Sequence, residues 1–312
     1  MASDIGAGVT GPEAASSTPV HVTADDFEEL RPRAFGIAYR MLGSVSDAED
    51  VVQDGLLRLH RAIQAGEQID SPPAYLATVV TRLAIDQLRS ARARRETYVG
   101  EWLPEPLVTS DEDDPARHAE TADSLSLAFL VVLESLSPEQ RAVFLLRDVF
   151  DYPYDRVAEI VGKSESAVRQ LAVRARRHVE ERRPRYETSR DQRDELARRF
   201  LAAAQEGDVG ALESLLAEDV VLHGDGGGKA PALARPVHGA RRVARTFTAW
   251  VKAAAKMGVT DVRLVEVNGQ PGLLIVGDGN RPISAMAFDI AEGQIQSINS
   301  VVNPDKLRHL TT

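Results

Sequence analysis

The chain has no cysteine among its 312 residues. That excludes structural disulfides, thiolate zinc sites and a cysteine nucleophile. It also lacks any apolar run approaching the roughly 20 residues that span a bilayer, and it carries no evident internal repeat. Residues 1–19 have neither a basic start nor an apolar centre, so they do not read as a secretory signal. Residues 1–23 read instead as a disordered leader, and the chain as a cytoplasmic protein with no membrane partner. Positive charge is in deficit: the formal net charge is −10, which argues against indiscriminate binding of nucleic acid.

What is present is uneven. A hydrophobic content of 43% suffices for packed cores, and the length suits two or three domains at roughly 150 residues each. The scarce cations gather in two patches: Arg82, Arg89, Arg92, Arg94 and Arg95, then Arg169, Arg174, Arg176, Arg177, Arg182 and Arg183. Acids gather at Asp47, Glu49, Asp50 and Asp54, and again at 111–114. A chain acidic overall but basic in two places can bind DNA locally and dock elsewhere.

Residues 24–96 read as helical. Phe27, Leu30, Ala34, Ile37, Ala38 and Met41 recur at three- and four-residue spacing, and Gly43 stops that helix. Ser46 and Glu49 have the spacing of a capping box that opens a second helix, and Pro72-Pro73 opens a third, basic one running to Arg95. Residues 97–118, with Trp102-Leu103-Pro104-Glu105-Pro106 and the acids of 111–114, read as an acidic linker or solvated tether. Residues 119–186 are helical again, with Ser137, Pro138 and Gln140 marking a capped start. Residues 190–312 change character. Two helices come first, a third spans about 240–255, and strand-like runs follow at 262–267, 273–276, 283–290 and 295–302. Asn268-Gly269 and Glu292-Gly293 punctuate these runs as hairpin turns. The expected architecture is therefore two separate all-α domains followed by an α+β domain.

Residues 151–185 carry the sharpest motif. Tyr154, Val157, Ala158 and Val161 make the inner face of one helix, Gly162 supplies a turn with positive φ, and Ser164 caps the next helix. Val168, Leu171, Ala172, Ala175 and Val179 face inward on that second helix. Ser166, Arg169 and Gln170 are left outside on its first turns, where a recognition helix reaches base edges. Arg174, Arg176 and Arg177 lie further along and suit phosphate contacts. A merely solvated basic helix is the bland alternative.

Three phrases carry a family resemblance: the run from Ser46 to Asp54, the run from Ala74 to Arg89, and Leu136-Ser137-Pro138-Glu139-Gln140-Arg141. With the helix-turn-helix, they make the chain resemble an extracytoplasmic-function sigma factor of bacterial RNA polymerase. The resemblance implies that 24–96 is region 2 and 119–186 is region 4, with core RNA polymerase and promoter DNA as partners. It implies that Asp50, Gln53, Asp54 and Leu57 dock the clamp helices of the largest polymerase subunit. Arg82, Arg89 and Arg92 would then track the melted −10 element, and the helix-turn-helix would read the −35 element. Two positions depart from the family pattern: Tyr75 stands where tryptophan is usual, and Thr81-Arg82 where Arg-Asn is usual.

The C-terminal pattern resembles the SnoaL-like, cone-shaped α+β fold. Trp102 within its Trp-Leu-Pro-Glu-Pro phrase, the run Asp225, Gly226, Gly227, Gly228 and Lys229, and the run Asn303, Pro304, Asp305, Lys306 and Leu307 resemble signatures of the sigma subgroup carrying this fused domain. The resemblance implies that these residues make interdomain contacts and that the domain replaces a separate anti-sigma protein. No cofactor is expected. The glycine run is no phosphate loop, since His223 stands at the first glycine position and Ala230 follows the lysine. Two rival readings remain. One is a ligand-sensing helix-turn-helix regulator. The other is a SnoaL-like enzyme using His223, Asp225, His238 or Asp289 for proton transfer.

Overall fold

The computed structural model describes residues 24–95, 98–109, 122–181 and 189–310. The expected leader, the acids of 111–114 and residues 182–188 lie outside the described residues.

The first domain is α1 (Ala24–Leu42), α2 (Val45–Gln64) and α3 (Pro72–Arg95). Ile37, Met41, Val52, Leu76 and Val80 form its centre because the heptad-like spacing puts them on facing stripes. The start of α2 differs from the expected capping box. Ser44, not Ser46, is the N-cap, its hydroxyl accepting from the Asp47 amide at 3.2 Å. Glu105 supplies the rest: its carboxylate accepts from the Val45 amide at 2.7 Å and the Ser46 amide at 3.3 Å. A carboxylate at the positive end of a helix satisfies the orphan donors there. Glu49 is thereby released to pair with Arg31.

The second domain comprises α4 (Ala122–Leu125), α5 (Leu127–Glu134), α6 (Pro138–Phe144, prolonged by a π turn at Leu145–Val149), α7 (Tyr154–Val161) and α8 (Glu165–Glu180). The predicted cap of α6 forms in full, Ser137 and Gln140 bonding reciprocally to each other's amides at 3.0 and 3.2 Å. The two helical domains are not separate bodies on a tether. One continuous core runs from Ala34 and Ile37 through Phe129 and Leu146 to Val168 and Val179. Arg141 is buried within it, donating to the Met41 carbonyl at 2.6 Å and to Glu134 at 2.7 Å. Burial lowers its pKa to about 9.

The third domain contains α9 (Arg190–Glu206), α10 (Val209–Leu215), β2 (Leu216–Asp225), β3 (Val237–His238), α11 (Ala240–Ala253), β4 (Val259–Val267), β5 (Gln270–Gly277), β6 (Arg281–Ala291), β7 (Gln294–Val301) and a closing 3-10 turn (Pro304–Leu310). β4 to β7 form the expected antiparallel meander, with Asn268 and Glu292 at positive φ in its hairpin turns. β2 was not legible as a strand; it pairs parallel to β7, and its mixed pattern reflects a partner supplied from far along the chain. Leu273, Met286 and Phe288 pack one sheet face against α9 to α11. The opposite face, with Leu274, Ala285 and Ala287, meets Leu103, Leu307 and Leu127.

The described part of the linker is not a solvated tether. Residues 98–109 run as a strap between the helical domains and the sheet, with Leu103, Pro104, Glu105 and Pro106 buried. Val108–Thr109 even joins the sheet as β1, antiparallel to β4 at Val267 and Glu266. Two prolines without backbone donors and a buried leucine, worth about 1.5–3 kcal/mol, make a short segment that packs rather than solvates.

Candidate nucleic-acid, polymerase and interdomain interfaces

α8 is built as a presented helix. Gly162 takes φ 67° where α7 ends, and Ser164 accepts from the Ala167 amide at 3.3 Å. Val168, Ala172, Ala175 and Val179 are buried, leaving Ser166, Arg169, Gln170, Arg174 and Arg177 exposed. Arg176 is half-buried and held by Asp148 at 2.7 Å, which raises its pKa. Val173 is 63% exposed on the same face, an apolar spot suited to a thymine methyl. Tyr154, an inner-face residue in the sequence pattern, does pack partly buried against the core, and it organises this surface as well. The Arg169 guanidinium lies 4.2 Å from its ring centroid and that of Arg147 lies 5.2 Å away. Arg176 donates to its hydroxyl at 3.2 Å. Tyr154, Arg147 and Arg169 border an open depression of about 650 Å³. Arg169 pairs with Glu165, Arg147 with Asp151 and Arg177 with Glu181. Such exposed pairs contribute only about 0–1 kcal/mol each and yield readily to a phosphate.

On α2, Asp50 and Gln53 are exposed, and Asp54 pairs with Arg58 at 2.9 Å. Leu57 is 45% exposed between them. One anchor ringed by polar groups is the arrangement of a docking spot.

The basic patch of α3 departs from expectation. Arg82 is exposed but already engaged: its guanidinium donates to the carbonyls of Ile160 and Glu159, both at 2.9 Å. It caps the negative end of α7, satisfying carbonyls that the helix itself cannot. Arg89 is shared, bonding Glu139 at 2.6 Å and Asp86 at 3.2 Å. Its proximity holds the Glu139 carboxyl below the usual carboxylate range. Arg92, Arg94 and Arg95 have side chains outside the described residues.

The three interdomain phrases converge on one buried carboxylate. Asp225 accepts from the Tyr98 hydroxyl at 2.5 Å, the Leu103 amide at 2.8 Å and the Lys306 ammonium at 2.6 Å. Lys306 also donates to the Leu103 carbonyl and sits 4.2 Å from the Trp102 ring centroid. Asn303 donates to Tyr98 at 2.9 Å, and Lys229 pairs with Asp305. Desolvation and the Asp225 charge push the Tyr98 phenol upward. The glycines allow this closeness: a Cβ on Gly227 would lie 2.2 Å from Asn303, one on Gly226 would meet Ala230, and one on Gly228 would crowd Val99. Pro304 is exposed at the head of the closing turn, and Leu307 packs beneath with Leu103.

Sequence reasoning missed a second knot. Asn268, taken only as a turn residue, is fully buried at the β4–β5 tip. Its side-chain carbonyl accepts from the Leu107 amide at 2.8 Å, while its NH2 donates to Tyr39 at 2.7 Å and to the Leu125 carbonyl at 3.0 Å. One amide thus touches the first domain, the strap and the second domain. Tyr39 relays the contact to the Glu105 carbonyl at 2.6 Å, and the same residue's carboxylate caps α2. The only signal in the sequence was an asparagine, a side chain with both donor and acceptor, in a turn that glycine or aspartate fills equally well.

The interior of the third domain is filled by side chains. Phe200 lies 4.9 Å from Phe247 and 5.1 Å from Phe288, centroid to centroid. The residues weighed for proton transfer have other occupations. His223 bonds Glu101 at 2.7 Å, Asp225 holds Lys306, and Asp289 accepts from Ser297 and Asn299, while His238 is exposed on β3. No helix of the described residues is long and apolar enough to cross a membrane.

A helix-turn-helix and an acidic helix with an exposed leucine on one shared core, strapped to an α+β domain, define a transcription-initiation protein of the sigma-70 type. The descriptions "Sigma-70 region 2", "Sigma-70, region 4" and "SnoaL-like domain" match residues 27–94, 126–179 and 197–291. The chain is 40% identical over 289 residues to the ECF RNA polymerase sigma factor SigJ of Mycobacterium tuberculosis, covering 90% of this chain and 92% of that one. It is 34% identical over 274 residues to the probable ECF RNA polymerase sigma factor SigI of the same species, covering 87% and 90%. The crystal structure of SigJ superposes with a TM-score of 0.74 at 37% identity, covering 92% of this chain and 98% of the other. The chain belongs to the ECF RNA polymerase sigma factors, in the form that carries a C-terminal SnoaL-like domain. Its work is promoter-specific initiation with core RNA polymerase, and its relatives are named as sigma factors, not enzymes.

Proposed function

We propose that this sigma factor restrains itself: the C-terminal domain, acting through the strap, holds regions 2 and 4 closed, and no separate anti-sigma protein is required. In the open form Asp50, Gln53, Asp54 and Leu57 dock the polymerase. Arg82 and Arg89, with Arg92, then turn to the −10 strand, and α8 reads the −35 duplex through Ser166, Arg169 and Gln170. The phosphate contacts fall to Arg174, Arg176 and Arg177. The observation that carries this reading is Arg82, a cation of the −10 helix spent on two carbonyls of region 4. It cannot serve both partners. The aromatic filling of the cone supports a structural rather than enzymatic role for the third domain, and the protein acts in the cytoplasm.

The natural absence of cysteine offers a clean test. Arg89→Cys with Glu139→Cys, joined by a thiol-cleavable crosslinker, fixes region 2 to region 4. Run-off transcription with core polymerase is expected to vanish on crosslinking and return on cleavage. Equal transcription before and after cleavage rules the closed-state reading out. Asp50→Lys with Leu57→Ala is expected to abolish copurification with core polymerase while leaving duplex binding intact.

A further inference from the structure

Between Asp225 and Asp261 the chain has no acidic residue but seven lysines and arginines, in a protein whose formal charge is −10. Five of these cations lie on α11 and the turn after it: Arg241, Arg242, Arg245, Lys252 and Lys256. At about 100° per residue they fall within one arc of about 100°. Val243, Ala244, Phe247 and Thr248 occupy the buried side. All five cations are exposed. None forms an ion pair among the described residues, although the strand end with Glu218 lies beside Gly239 at the head of the helix. By contrast, arginines of α9 in the same domain are paired, Arg190 with Glu266 and Arg198 with Glu195.

We infer that this face of α11 is a third polyanion-binding surface, and that its ligand is the phosphate backbone of duplex DNA. A purely solvated face would not need acids removed from thirty-five consecutive residues of an acidic chain. A row of like charges without internal partners repels itself, by an amount an external anion relieves. Arg241 to Lys252 spans about 16 Å along the helix axis, the length of about five base pairs at 3.4 Å each. The row offers point charges and guanidinium forks without an apolar pocket, so it fits a regular phosphate backbone better than a base edge. α11 lies on the sheet face turned away from the strap and the helical domains. The third domain follows region 4 in the chain, and the −35 element is the more upstream of the two promoter elements, so we assign the row to duplex upstream of the −35 contact rather than to the −35 base pairs themselves. This inference is independent of whether regions 2 and 4 close on each other.

The test uses full-length protein with core polymerase and two promoter duplexes, one ending just upstream of the −35 element and one extended by several helical turns. Arg241→Gln, Arg245→Gln and Lys252→Gln are combined. These are exposed positions, and an unchanged melting temperature verifies the fold. Each neutralised phosphate contributes about 0.9 to the salt slope of binding, so the variant's slope on the long duplex is expected to fall by about 2–3. Its affinity there drops at least tenfold at physiological salt, whatever the upstream sequence, with no change on the short duplex. Equal affinity and slope on the long duplex overturn the inference. So does a loss of polymerase retention with unaltered DNA binding, which would assign the row to an acidic protein surface.

Discussion

Replacing Asn268 by glycine isolates the interdomain knot. The residue sits at φ 54°, so alanine would add backbone strain, whereas glycine keeps the turn and deletes only the amide. The deletion leaves the Leu107 amide and the Leu125 carbonyl without their partner, and the buried Tyr39 hydroxyl loses a donor. A buried polar group stripped of its partner costs about 1–3 kcal/mol. Two such groups, softened by local relaxation, give about 3 kcal/mol, or roughly a hundredfold in the closed-to-open equilibrium. Limited proteolysis across residues 98–109, with run-off transcription beside it, reads the shift. The strap is expected to become cleavable about a hundredfold faster, and initiation at limiting core polymerase to rise. An unchanged cleavage rate in Asn268→Gly would show that the amide carries no interdomain energy, and the reasoning would fail.

Other outcomes follow from the same contacts. Lys306→Met alone leaves Asp225 buried and uncompensated, and is expected to cost about 3–5 kcal/mol in urea unfolding. Adding Asp225→Asn should recover part of that loss, and a double variant no better than the single one would refute the pairing. Arg169→Ala should lower −35 affinity by about 1–3 kcal/mol for one cognate base pair. Arg177→Ala should weaken all duplexes about equally; binding arrays of single-base substitutions distinguish the two. Arg89 depresses the Glu139 pKa, so this pair's contribution is complete above the ordinary glutamate value of about 4.3 and is lost as pH falls through the lowered value. A fluorescence pair on regions 2 and 4 should therefore show no pH response from this contact between about pH 6 and 8. A Glu139-dependent response in that window contradicts the assignment.

Local signals were legible where local chemistry decides. Ser137 with Gln140, Gly162 and Ser164 mark helix boundaries because each satisfies donors or angles within a few residues of itself. The inward stripe of α8 follows from spacing alone. The errors lie where a distant segment intervenes. Ser46 and Glu49 have capping-box spacing, but Glu105 reaches α2 from sixty residues away and moves the cap to Ser44. The strap looked solvated because prolines and acids suggest a tether, and nothing local announces the sheet that receives Val108. The contacts that Arg82 makes here were illegible for the same reason: its carbonyl partners belong to a helix beyond the next domain boundary.

The two-residue strand at Val108–Thr109 has a consequence for how the molecule resets. It covers part of the outer rim of the meander at Val267 and Glu266. If the strap lifts to free region 2, those peptide groups lose their neighbour and face water as an open seam, the kind of rim that invites another strand. Release and recapture are thus written into the same few backbone bonds. On the closed-state proposal, a liberated factor that finds no polymerase would re-form the β1–β4 pairing over Val267 and Glu266.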